Sequence, residues 1–232
     1  MGVRALAPCL CLALTACALG GSSTARQDEA LGREVVARVR AERTIVADPA
    51  VADPVRELAR PLVRAAGPQT FRFRFYVLAD AQDVSFSAPG GAIFVTTGAL
   101  DAAPDRAEIA ALLAHEVGHG ALGHTMQGLE RDRGAAHREG SKEARGMRRL
   151  GSSDEDVMRA ILAHRQWSDD QELEADRWAL RKLAEAGYCP AALVALLERR
   201  ERDAPRGATS RSSRRLAALA PEISGLAPCP PG

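Results

Sequence analysis

Leu113-Ala114-His115-Glu116-Val117-Gly118-His119 is the stretch around which the rest of the chain organises. Upstream, Asp105 and Glu108 have capping-box spacing and Ile109, Leu112 and Leu113 supply an apolar stripe, so the pattern predicts one helix from Ala107 to about Met126. Residues four apart on a helix differ by about 40° in azimuth, which lets His115 and His119 present both imidazoles to one metal ion. Glu116 then lies beside that ion without competing as a ligand, the arrangement of a zinc hydrolase. Composition alone predicts a His-Glu-x-x-His pattern roughly 0.007 times in such a chain, so coincidence is a poor account.

A catalytic zinc takes a third protein ligand and keeps one position open. His124 is nearest in sequence, but on a continuous helix it lies about 140° from His119 and roughly 180° from His115, facing away as a supporting or surface residue. A metzincin third histidine would need Gly at 122 and His at 125, where the chain has Leu122 and Thr125. Ser168 and Gln171 form a second capping box, opening a helix that stops at Gly187. On it Glu172 and Asp176 are four apart, so one could bind metal while the other accepts an N–H from a liganding imidazole; Glu174 points the other way. Ion pairs with Arg177 or Arg181 account equally well for two such acids.

Further out, Phe71, Phe73 and Phe75 alternate with Arg72 and Arg74 and continue to Val77, a half-buried strand. Asp83 to Ala88 and Ala92 to Thr97 read as extended on either side of the turn Pro89-Gly90-Gly91. Two amphipathic helices precede them: one through Leu31, Val35 and Val39, the other opening at Asp53-Pro54 and closing at Gly67. Pro190 starts a helix to about Arg202, and a short helix after Ser213 runs through Leu219. Residues 127–152 are polar and weakly periodic, an insert. The implied class is α+β, mainly helical with a small sheet or hairpin.

Composition narrows the partners. The chain has 232 residues, 46% apolar and 26% charged, with 31 basic against 30 acidic side chains and only 4% aromatics. That balance offers neither a basic field nor stacking surface for nucleic acid. At the N-terminus, Ala5 to Ala16 is an uncharged run of about 12 residues, roughly 18 Å as a helix and too short for a hydrocarbon core of about 30 Å. It ends in Leu14-Thr15-Ala16-Cys17, which resembles the lipobox of bacterial lipoproteins. Residues 1–16 are therefore expected to be a signal peptide, 17–28 a lipidated tether anchored at Cys17 and disordered from Gly20 to Asp28, and 29–232 a single domain. Ala18 after the anchor suggests an outer membrane. In an oxidising compartment Cys189 and Cys229 invite a disulfide, closing a loop of about 41 residues worth roughly 4 kcal/mol.

Taken together, Ser87-Ala88-Pro89-Gly90-Gly91-Ala92-Ile93-Phe94-Val95, the His115 to His119 motif with His124, and Ser168-Asp169-Asp170-Gln171-Glu172-Leu173-Glu174-Ala175-Asp176 resemble the HtpX- and BepA-like gluzincin zinc metallopeptidases of family M48. Tyr188-Cys189-Pro190 resembles a helix start of that family, with Cys189 where the family has Asp. The resemblance covers about residues 30 to 220 and implies a zincin-like (minigluzincin) domain. It implies Glu172 as third zinc ligand, Asp176 as a supporting acid, and Val84, Ser85, Phe86, Ser87 and Ala88 as an edge strand on which substrate lies. The chain departs from the family in having no histidine after His164 to help stabilise an oxyanion. Arg211, Arg214 and Arg215 are candidates for that charge, with a solvated basic cluster as the plainer reading. It also departs at 127–152, which is polar where several relatives are apolar.

The expectation is a zinc metalloendopeptidase with one zinc ion per chain, Glu116 acting as general base. Its expected substrates are unfolded or misassembled envelope polypeptides, met from a lipid anchor on the outer membrane facing the periplasm. The rival is a zinc-binding interaction module without turnover, against which Glu116 argues, since a structural site has no use for a carboxylate at that offset. A two-His-one-carboxylate iron site would tolerate the ligand types but not this helical spacing with a neighbouring Glu.

Overall fold

A computed structural model describes residues 20–127, 167–203, 211–226 and 229. The leader, Cys17 and its lipidation, the insert from residue 128 onward and residues 208–210 lie outside the described residues. The elements are α1 (Gly20–Glu42), α2 (Pro49–Ala66), β1 (Arg74–Leu78), β2 (Ser85–Ala88), a 3-10 turn (Pro89–Gly91), β3 (Ala92–Thr96), α3 (Thr97–Ala102) and α4 (Arg106–Ala121). After the insert come α5 (Asp169–Glu185), α6 (Ala191–Arg202) and α7 (Arg211–Ser224). This is the α+β, mainly helical architecture the sequence implies. No helix among the described residues is long and apolar enough to cross a membrane.

The three strands form one mixed sheet in the order β1-β3-β2. β1 runs parallel to β3 with Phe75 opposite Ile93, and β2 runs antiparallel with Ser85 opposite Val95. β3 is buried along its whole length, as a central strand covered on both faces must be. Side chains alternate across the sheet. Ile93 and Val95 join the larger core with Leu62, Leu113, Val117 and Leu183, whereas Phe86, Ala88 and Phe94 face α1 and its Val35 and Val39. The sheet is thus a partition between α1 and the bundle made by α2, α4, α5, α6 and α7.

Helices α1 and α2 begin earlier than expected. α1 begins at Gly20, where a disordered tether was expected through Asp28, and its face docks on the Pro-Gly-Gly turn. The buried Asp28 carboxylate accepts a hydrogen bond from Gly90 N–H at 2.8 Å, a long-range contact that local composition does not announce. α2 starts at Pro49 rather than at Asp53, because Asp48 accepts from Ala50 N–H and Pro49 occupies the first turn, where a missing N–H costs nothing.

α4 is the centre of the molecule. It is buried from Ala110 to Gly120, so it lacks a polar face, and it contacts α2, α5 and α6. Gly118 permits the close approach of α5: a Cβ there would lie 3.2 Å from both Ala175 O and the Trp178 ring. The second capping box forms as predicted at the start of α5, with Ser168 and Gln171 bonded reciprocally. Cys189 and Cys229 are disulfide-bonded, Cα atoms 5.1 Å apart, which ties residue 229 to the start of α6.

Candidate metal centre

His115 and His119 leave α4 on the same face, and Glu172 reaches them from the first turn of α5. One potential ligand atom from each lies within 4.8 Å of the other two. Nε2 of His115 is 3.6 Å from Glu172 Oε2, and Nε2 of His119 is 4.0 Å from Glu172 Oε1. The two Nε2 atoms are 3.1 Å apart. Both histidines are buried and the Glu172 side chain is 12% exposed.

The opposite ring nitrogens decide the tautomers. His115 Nδ1 is 2.9 Å from Asp176 Oδ1. Burial alone would raise the pKa of Asp176, but its bonds to His115 and the Arg215 guanidinium outweigh this and hold the carboxyl below its ordinary value. An ionised carboxylate only accepts, so the proton sits on His115 Nδ1. His119 Nδ1 is 2.9 Å from His124 Nδ1, and His124 Nε2 is 3.1 Å from Glu174 Oε2. Burial pushes the pKa of His124 down, so its single proton is on Nε2 toward Glu174. His124 Nδ1 is then an acceptor and His119 Nδ1–H the donor. Burial, reinforced by the neighbouring His115, likewise holds His119 well below the usual imidazole pKa, in the neutral form.

With their Nδ1 atoms partnered on the far side, the two Nε2 atoms face each other beside a carboxylate. Such an arrangement calls for a cation between them, and the donor set of two imidazoles and one carboxylate fits zinc. Trp167 stacks on the His119 ring, centroids 4.8 Å apart, fixing its plane.

Two readings of the helix surface need correction. His124 does not face away and Glu174 does not point elsewhere: the helix ends at Ala121, Gly123 adopts φ +71°, and the chain turns back so that His124 meets His119 and Glu174. The 140° offset holds only for an unbroken helix, and a glycine in the left-handed region is what ends this one. The signal was in the sequence as Gly123, one residue before His124.

Nor are the three arginines of α7 one solvated cluster. Arg211 and Arg214 reach Asp169 at the exposed start of α5, at 2.9 and 3.2 Å. Arg215 is buried, its Nε donating to Asp176 Oδ2 at 2.6 Å and its NH1 lying 3.0 Å from Glu172 Oε2. One guanidinium thus grips two carboxylates of α5, Asp176 and Glu172. The clue available in the sequence was its place in the buried stripe Ser212, Arg215, Leu219.

Glu116 is buried, and burial raises its pKa above the ordinary glutamate value against the opposing effects of His115 and the Ser85 hydroxyl. Ser85 Oγ donates to Oε1 at 2.8 Å, while Oε2 has no partner among the described residues. Val84 to Ala88 coincides with β2 and the residue before it, an outer strand of the sheet that contacts α4.

A mainly helical α+β domain in which a buried His-Glu-x-x-His helix is met by a glutamate from the next long helix has the architecture of a gluzincin metallopeptidase. The sequence pattern of peptidase family M48 matches residues 48–224, and the chain belongs to that family. It is 30% identical over 146 residues to the Metalloprotease LoiP of Escherichia coli (strain K12), covering 61% of this chain and 56% of that protein. It is 24% identical over 191 residues to a Beta-barrel assembly-enhancing protease of Yersinia pestis, covering 78% of this chain and 39% of that protein. A Putative beta-barrel assembly-enhancing protease of Vibrio cholerae is 23% identical over 177 residues, covering 73% of this chain and 37% of that protein. The matched part is thus little more than half of the first relative and well under half of the others.

Proposed function

We propose that this chain is a zinc-dependent endopeptidase whose metal is held by His115, His119 and Glu172 and whose general base is Glu116. The observation that carries the reading is the pair of Nε2 atoms 3.1 Å apart beside the Glu172 carboxylate, with both Nδ1 atoms partnered elsewhere. A bound zinc supplies the electrophilic pull that makes water acidic enough to ionise near neutral pH. Asp176 orients His115, His124 orients His119, and Arg215 balances the charge of Glu172 and Asp176. Glu116 takes the proton of the attacking water on one carboxylate oxygen and returns it to the leaving amine. Its upward-shifted pKa brings it closer to working pH, which suits a group that must both accept and give up a proton.

Substrate would lie as an extended segment along β2, over Val84, Ser85, Phe86, Ser87 and Ala88, with main-chain hydrogen bonds supplying affinity. Backbone recognition of this kind selects chains that are already unfolded. The similarity to proteins named for β-barrel assembly, with the lipobox-like Leu14-Thr15-Ala16-Cys17, supports unfolded or misassembled envelope proteins as substrates and a lipid anchor at Cys17 on the outer membrane. The Glu116 Oε2 atom, buried and without a partner among the described residues, favours turnover over a purely docking role for the metal.

Cleavage of unfolded casein by the zinc-loaded protein, compared with Glu116→Gln, tests the reaction. Loss of at least about a hundredfold in the variant is expected from removal of a general base, whereas activity surviving the substitution would remove Glu116 from that role. Trapping with Glu116→Gln tests the substrate class: enrichment of many unfolded envelope proteins is expected, and capture of one folded partner alone would count against it.

A further inference from the structure

We infer that Ser85 is a positioning residue for the base Glu116, so that the strand proposed to receive substrate also sets the orientation of the carboxylate that does the proton transfer. The inference rests on the peptidase reading above and extends it to a residue whose part in the reaction is not contained in that reading.

Strand alternation is the starting point. Phe86 and Ala88 pack toward α1, so Ser85 and Ser87 project from the other face of β2, the face on which the larger core and α4 lie. Register places Ser85 opposite Val95 at the start of the strand, where it is partly exposed, and its Oγ reaches Glu116 Oε1 at 2.8 Å across thirty-one residues of sequence. No other side-chain donor to Glu116 is seen among the described residues, and Oε2 has none.

A carboxylate turns about its last torsion in a broad, roughly two-fold well. In a buried pocket with a single donor, that donor selects which oxygen is held and which is left. The Ser85 O–H···O bond ties Oε1, leaving Oε2 as the oxygen available to a water. The bond lies in a part-buried position, where a hydrogen bond is stronger than the same bond in open solvent. Its effect falls on proton transfer rather than on metal binding, since Ser85 touches none of His115, His119 or Glu172 through any hydrogen bond seen here.

Substitution by Thr and by Val separates the hydroxyl from bulk, because the two side chains are nearly isosteric and both favour strands. With the zinc-loaded full chain and unfolded casein, Ser85→Thr is expected within about twofold of wild-type kcat, and Ser85→Val about tenfold lower, the scale of one lost hydrogen bond to a charged group. KM should stay within about twofold in both, and zinc affinity by chelator competition should match wild type. Ser85→Ala repeats the loss without added volume and covers the case in which a branched side chain does not fit. Wild-type kcat in Ser85→Val and Ser85→Ala would overturn the inference while leaving the peptidase reading intact. So would a loss that tracks zinc content or the unfolded fraction. Absence of cleavage by the wild-type protein would overturn both.

Discussion

His119 and His124 meet through their Nδ1 atoms at 2.9 Å, and the second imidazole passes the contact on to Glu174 at 3.1 Å. The chain His119, His124, Glu174 mirrors the pair His115, Asp176 on the other side of the proposed metal position. Each imidazole proposed as a ligand thus has its outer nitrogen occupied, which fixes ring orientation and leaves Nε2 basic.

From that relationship, His124→Ala is expected to weaken zinc binding by about 10- to 100-fold, the usual cost of losing a partner of a liganding histidine. Competition with a chromophoric chelator measures it. Unchanged affinity would show that Trp167 stacking alone orients His119.

Arg215 is the counter-charge for two buried carboxylates. Removing it by Arg215→Met should cost about 3–5 kcal/mol of stability, because Asp176 and Glu172 are left uncompensated in a buried site. Urea unfolding of the metal-free protein reads this directly. Added zinc should recover part of the loss by supplying a replacement cation to Glu172, and a variant as stable as wild type without metal would contradict the assigned role.

Burial raises the pKa of Asp28, with the Gly90 N–H bond opposing and Glu29 adding to the rise. A carboxyl with a raised folded-state pKa binds more protons folded than unfolded, so its contribution to stability declines as pH rises above about 3.9, the unfolded value, through the folded one. Asp28→Asn keeps an acceptor for Gly90 N–H and removes the buried charge. Relative to wild type it should therefore be equal near pH 3 and more stable near pH 7, as measured by urea unfolding across that range. A variant less stable at pH 7 would mean that the charge itself holds α1 on the turn.

Much of this was legible in the primary structure because it depends on local order. Helix periodicity placed His115, Glu116 and His119 together, capping chemistry fixed the start of α5, and alternation with Pro89-Gly90-Gly91 produced the β2–β3 pair. These follow from rises, periods and caps that operate over a few residues. Which acid of α5 approaches the imidazoles could not be read that way, since Glu172 and Asp176 share one helix face. The close α4–α5 packing over Gly118 places Glu172 beside the Nε2 atoms and Asp176 beside Nδ1. Tertiary packing brought Arg215 onto two carboxylates from some forty residues away, seated Asp28 on Gly90 and aimed Ser85 at Glu116. In each case a partner remote in sequence offsets the cost of desolvating a charge or dipole, and no local rule specifies that partner.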